Sequence, residues 1–257
     1  MSKHVLRMTL CTALSFGFIA APALAQDDKT ATEAAPTEPE GLKWSGRINF
    51  GGFITDGNSN KKAVVTDGFT KARDEKNRYK VGGEIRYAED EGEETEDEYM
   101  IYGEYDRFFD EKMFAGGRIS YESDDIADLD RRIKVGPYVG YQYYESDPLN
   151  LSTRLGIDYI NDEYENGDSE DSAAVSWGLD YDQKFIDDTI QLFYKHDVSV
   201  PMDDTEGFLY DGETGVRFPI AKVLTGSAQI DFDWDNDPAP GVKEDDTTYS
   251  LKIGYEF

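Results

Sequence analysis

Three groups of residues in this 257-residue chain could do chemistry. The first is His196, the only histidine beyond residue 25. It shares alternation parity with Ile190, Leu192 and Tyr194, which puts it on an apolar face. A base there could serve a lipid-directed hydrolase. No serine stands beside it in a recognisable motif, and a nucleophile–base pair is defined by geometry. The competing reading is an amphipathic ring near the outer end of its strand. The second group is Asp233-x-Asp235-x-Asp237, with Glu244 at the twelfth position. The spacing imitates a calcium loop, but Pro238 stands where that loop needs glycine. What remains is weak candidacy for loose divalent binding.

The third group is the largest. Arg47, Arg78, Lys80, Arg86, Arg118, Lys134, Arg154, Lys195, Arg217 and Lys252 alternate with apolar residues. So do Glu84, Glu104, Asp158, Asp180, Asp182, Asp211, Glu213 and Glu256. All are expected on one common face. Charges gathered there need water or each other. The face could line a narrow wet pore, or it could close into a plug of ion pairs.

The elements that position these charges are strands. From Trp44 onward the hydrophobic period is two. The pattern predicts twelve strands, at about 43–54, 62–71, 76–88, 98–108, 113–122, 132–144, 149–160, 172–185, 188–198, 207–218 and 223–234, with a terminal run. That run alternates Tyr249, Leu251, Ile253, Tyr255 and Phe257 with Ser250, Lys252, Gly254 and Glu256. Short connections such as 72–75, 109–112 and 145–148 alternate with longer ones such as 89–97 and 235–246. An even strand count with alternating turns and loops is the signature of an antiparallel up-and-down outer-membrane β-barrel. The expected strand lengths match a tilted membrane-crossing strand.

The start of the chain fits export. Lys3 and Arg7 precede an apolar stretch, Leu10 to Ala21, and Ala23-Leu24-Ala25 is a small-x-small cleavage site. Residues 1–25 are read as a signal peptide, 26–42 as a disordered periplasmic tether rich in Ala, Thr, Glu and Pro, and 43–257 as the barrel. Cys11 is the only cysteine and lies inside the leader, so the remainder has no disulfide and no thiolate metal site.

Net charge is −28. The leader holds two bases and no acid, so the remainder is near −30. This charge repels nucleic acid and excludes a nucleic-acid binder. Acidic clusters such as Glu89 to Glu98 are expected between strands. There they could join lipopolysaccharide phosphates through shared divalent cations. Negative mean hydropathy is compatible with a barrel, because only alternate residues face lipid.

Several short motifs occur in order. They are Trp44-x-Gly46, Gly57-Asn58-Ser59, Tyr105-Asp106-x-Phe108-Phe109, Phe114-Ala115-Gly116-Gly117-Arg118, Tyr121-Glu122, Leu129-Asp130-x-Arg132 and Gly136-Pro137-x-x-Gly140-Tyr141. As an ordered set over about residues 41–257 they resemble the salt-induced outer-membrane protein family of Gram-negative bacteria. The resemblance implies a β-barrel, an outer-membrane location and a role under ionic or osmotic stress. It implies no agreed activity, no catalytic residue and no cofactor. Outer-membrane lipids, the secretion translocon and the barrel-assembly machinery are the implied partners. Phe257 and its alternating run resemble the signal read by that machinery.

Overall fold

The computed structural model describes residues 41–55, 61–186, 189–203, 207–238 and 243–257. The expected leader, most of the tether and Gly57–Ser59 lie outside the described residues.

The twelve strands are β1 (Lys43–Thr55), β2 (Lys61–Arg73), β3 (Asn77–Asp90), β4 (Glu93–Phe108), β5 (Met113–Asp124), β6 (Leu129–Glu145), β7 (Leu149–Tyr164), β8 (Ser169–Phe185), β9 (Ile190–Pro201), β10 (Leu209–Pro219), β11 (Leu224–Asp235) and β12 (Asp245–Glu256). Each pairs antiparallel with its sequence neighbour, and β1 closes on β12. Closure satisfies the edge strands that an open sheet would leave exposed.

The barrel is inside-out relative to a protein that folds around an oily core. Large apolar side chains stand outward, among them Trp44 at 65% exposure, Val81 and Ile85 at 57% each, and Leu251 at 77%. Among the described residues fifteen buried ones are polar or charged and ten are hydrophobic. Water does not favour an apolar band of this extent. Lipid does, and the closed ladder leaves few backbone groups unpaired within it.

One end of the barrel carries Lys43, Phe257 and five connections of three or four residues; we call it the turn end. The opposite, loop end carries connections of two to nine residues. Carboxylates build two of the tight turns. Asp74 Oδ1 accepts from the Lys76 and Asn77 amides at 2.8 and 2.7 Å. Asp110 Oδ1 accepts from the Lys112 and Met113 amides at 2.8 and 2.7 Å. These amide donors hold both carboxyls below the usual aspartate range; for Asp74 the largest contribution comes from the Asn77 side chain.

The acidic segment Glu89 to Glu98 departs from expectation. It is not a loop. Strands β3 and β4 run on to Asp90 and from Glu93, and only Glu91 and Gly92 turn the chain. Both have positive φ, 54° and 88°, as a two-residue hairpin turn requires. Asp124, Asp162, Glu163, Asp245 and Asp246, also expected between strands, likewise belong to strands. A ladder bond does not need an apolar side chain, so the strands outrun the apolar pattern that marks them.

Candidate functional site

Strand parity directs the expected charges into the lumen, and the curvature of the wall brings distant strands within reach. At mid-depth four residues form a cycle of alternating charge. Arg118 Nη1 of β5 donates to Asp197 Oδ2 of β9 at 2.8 Å. Arg154 of β7 donates to the same oxygen. Arg154 also lies 3.5 Å from Glu104 of β4, and Arg118 closes the cycle to Glu104 at 3.8 Å. Strands β5 and β9 have three strands between them in the wall. The Arg118–Asp197 contact therefore spans the lumen and is not a neighbour pair. Lys80 adds a third cation 3.9 Å from Glu104.

The lumen on either side of this layer is hollow. A cavity of about 380 Å³ opens toward the loop end, and one of about 210 Å³ toward the turn end. Phe69, Lys80, Glu104, Arg154, Asp180 and Lys195 line both. The cycle thus sits at the layer that divides them.

A second crossing lies nearer the loop end. Arg132 of β6 makes a bidentate pair with Asp162 of β7, at 2.9 and 2.8 Å. It also reaches Asp235 of β11 at 3.3 Å. From the other side Arg86 of β3 donates to Asp233 of β11 at 2.9 Å and to Glu98 of β4 at 3.0 Å, and it pairs with Glu84. Lys134 lies 3.5 Å from Asp211.

Elsewhere the wall pairs charge with charge. Lys195 meets Glu213 at 3.2 Å, and Lys252 meets Asp67 at 2.7 Å. Arg47 meets Glu256 at 2.8 Å. At the turn end Arg78 donates to Asp106 at 2.6 Å and to Gln142 at 2.8 Å, and the Tyr138 hydroxyl donates to Asp106 at 2.6 Å. Phe108 and Phe114 pack beside them, with the Arg73 guanidinium 3.9 Å from the Phe108 ring centroid.

All eighteen charged positions expected inside have inward parity. Asp158 stands apart from the cycle and packs over Gly136. Asp180 lines both cavities and accepts from Asn150 at 3.3 Å. Sequence reasoning did not single out Asp197, Asp106, Arg132 or Asp162 as site residues. For Asp197 and Asp106 the signal was present: they share parity with Lys195 and Glu104.

Two expectations are corrected. Asp233 and Asp235 do not assemble a metal site, because Arg86 and Arg132 take their oxygens. Asp237 contributes a backbone amide to Asp235, and Glu244 a backbone carbonyl. Among the described residues no cluster of three or more His, Cys, Asp or Glu could hold a metal. His196 is not a ring at the strand end. It is the seventh of twelve residues in β9 and only 7% exposed, because the rings of Trp177, Tyr194 and Tyr210 enclose it at 4.3, 5.3 and 6.0 Å. Its Nδ1 is 2.8 Å from the Tyr194 hydroxyl, a phenol and not a serine.

The terminal run faces outward, with Tyr249 76%, Ile253 58%, Tyr255 44% and Phe257 52% exposed. Phe257 and Gly46 exchange both backbone hydrogen bonds, at 2.9 and 3.1 Å. The Phe257 ring lies where a side chain at position 46 would go, so only glycine fits there.

A family model described as "Protein of unknown function, DUF481" matches residues 48–257. The chain belongs to that family. Its fold is shared with a solved porin. The structure of a NanC porin superposes with a TM-score of 0.52 at 12% identity, over 84% of this chain and 99% of that one. The translocator domain of the autotransporter NalP from Neisseria meningitidis gives 0.47 at 13% identity, over 86% and 89%. A KdgM porin in complex with disordered oligogalacturonate gives 0.45 at 11% identity, over 82% and 99%. No curated protein matches the chain.

Proposed function

We propose that this chain is a narrow outer-membrane pore of the salt-induced type, closed at mid-depth by its own ion pairs and opened as ionic strength rises. The turn end faces the periplasm and the loop end the exterior, as short turns and longer loops do in bacterial barrels. The observation that carries the reading is the cycle Arg118–Asp197–Arg154–Glu104, with a cavity above and below it.

Strand number alone leaves the matter open. About eight strands give a filled interior and about sixteen a channel. The contents decide, and here they are charged rather than apolar. An apolar plug is indifferent to salt. An ion pair between two wet cavities is not: the screening length falls from about 10 Å at 0.1 M to about 3 Å at 1 M. Raised salt weakens the two long contacts to Glu104 first, because they lack hydrogen-bond geometry.

The test is single-channel conductance of the purified protein in a planar bilayer across a salt series. Discrete steps whose size grows faster than bulk conductivity support a salt-opened pore. A silent bilayer at every salt, with folding verified by heat-shifted gel mobility, leaves a purely structural barrel.

A further inference from the structure

The turn-end cavity is short of negative charge. Seven cationic side chains and four carboxylates line it. Arg217 is poorly satisfied among them. The residue is only 4% exposed. Its Nη1 donates to Gln191 at 3.1 Å and reaches Asp182 only at 3.5 Å. Its Nε is buried with no partner. The guanidinium lies 4.4 Å from the Phe193 ring centroid, which attracts a cation but offers no lone pair. Arg47 acts on it as a like charge from β1, and the Arg47 Nε is already committed to Glu256.

Lys71 shows the same imbalance. It lines the cavity and stands directly opposite Lys80 in the β2–β3 register, a like-charge pairing that a sheet disfavours. The carboxylate near Lys80, Glu104, is shared with Arg118 and Arg154. A buried guanidinium without a full partner is costly, and an anion that completes its hydrogen bonds removes the cost.

We propose that the turn-end cavity is a binding site for a small oxyanion, a carboxylate or a phosphate, held by the Arg217 guanidinium with Arg47 and Lys71 supplying field. Its volume, about 210 Å³, is below the roughly 300–1,000 Å³ of drug-sized sites. The site therefore takes a small anion and not a polymer. The loop-end cavity, with seventeen carboxylates against eight cations, repels the same ligand. The anion enters from the turn end. The site does not depend on conduction.

Calorimetric titration of the full protein in detergent micelles tests this, with sodium phosphate and sodium acetate as probes at low ionic strength. Saturable binding is expected. Arg217→Gln weakens it by about tenfold, the scale of one charge-assisted hydrogen bond. Lys71→Gln, a less buried position, weakens it by less and guards against a folding failure of the first variant. Lys61→Gln, on the exposed loop end, leaves it unchanged. Phosphate alone, acetate alone or both identify the oxyanion class and support the site. No saturable heat with either probe, or equal affinity in both lumen variants, overturns it. Binding by a protein that carries no current leaves the site standing and removes the pore; steps without binding do the reverse.

Discussion

The two halves of the lumen share one wall and one strand parity, yet they differ in charge. Around the loop-end cavity carboxylates outnumber cations seventeen to eight; around the turn-end cavity cations outnumber carboxylates seven to four. Parity decides only that a residue points inward. Position along the strand decides which cavity it meets. The excess acid is carried by the loop-end parts of strands, for example Glu96 to Glu98 of β4 and Asp231, Asp233 and Asp235 of β11. A pore with acid at one mouth and base at the other collects opposite ions at its two ends. In the proposed pore, the layer between them would control both.

The heaviest way to break the comparison is to break that layer. Asp197→Asn removes the carboxylate that Arg118 and Arg154 share and leaves two half-buried guanidiniums on Glu104. Stripping one side of a fully buried pair costs about 3–5 kcal/mol, and the partial exposure of these side chains lowers the cost. The expected result is a clear fall in the urea midpoint of the micelle-bound protein, with larger conductance at low salt than in the wild type. A variant with unchanged midpoint and unchanged current would show that the cycle neither supports nor closes the barrel.

Next in size is the turn end's packing. Gly140 lies beneath the Phe114 ring, where an added Cβ collides with it. Gly140→Ala is expected to cost about 1–3 kcal/mol by overpacking. Gly103→Ala, whose Cβ would meet only Ile119 at 3.9 Å, is the matched control and is expected to unfold near the wild-type midpoint.

The loop end responds differently. Asp235 has a side chain 30% exposed and reaches Arg132 at 3.3 Å, while Asp162 still holds that arginine. Asp235→Asn is expected to cost no more than about 1 kcal/mol. Its reversal potential in a salt gradient should nevertheless move toward anions, because one loop-end carboxylate is gone. Loss of stability without any shift in potential would mean that the acidic mouth does not select ions.

These contrasts show where sequence reasoning stops. Alternation located the twelve strands because most exterior positions are apolar; Tyr79, Val81, Ile85 and Tyr87 of β3 are the clearest case, and β2, with Thr66, Gly68 and Thr70 outward, is the weakest. The same alternation placed Arg118, Arg154 and Glu104 inside. It could not show that Arg118 meets Asp197, because that contact depends on the width of the barrel and the stagger of its strands. It also lost Glu93 to Asp97 as strand, since carboxylates beyond the apolar band carry no period-two signal. His196 was misjudged for a related reason. Its burial depends on Trp177 and Tyr210, which neighbouring strands supply.

The smallest effect separates two turn-end turns from one loop-end turn. Asp74 and Asp110 hold turn-end amides with ionised carboxylates, and both titrate below the usual aspartate range. A depressed folded value means that the contribution is complete above the unfolded value near 4 and is lost as pH falls through the lower folded one. The loop-end turn Glu91–Gly92 is shaped by backbone conformation, with positive φ at both central residues. Acidification is therefore expected to loosen the Asp74 and Asp110 turns before the Glu91–Gly92 turn. Amide protection factors, corrected for intrinsic exchange, should fall at Asn77 and Met113 below about pH 4 while Glu93 holds. Asp74→Asn keeps an acceptor oxygen but removes the charge. In that variant Asn77 should be less protected at neutral pH and should lose little more on acidification. Protection at Asn77 that still drops as steeply as in the wild type would assign the pH response to another carboxylate.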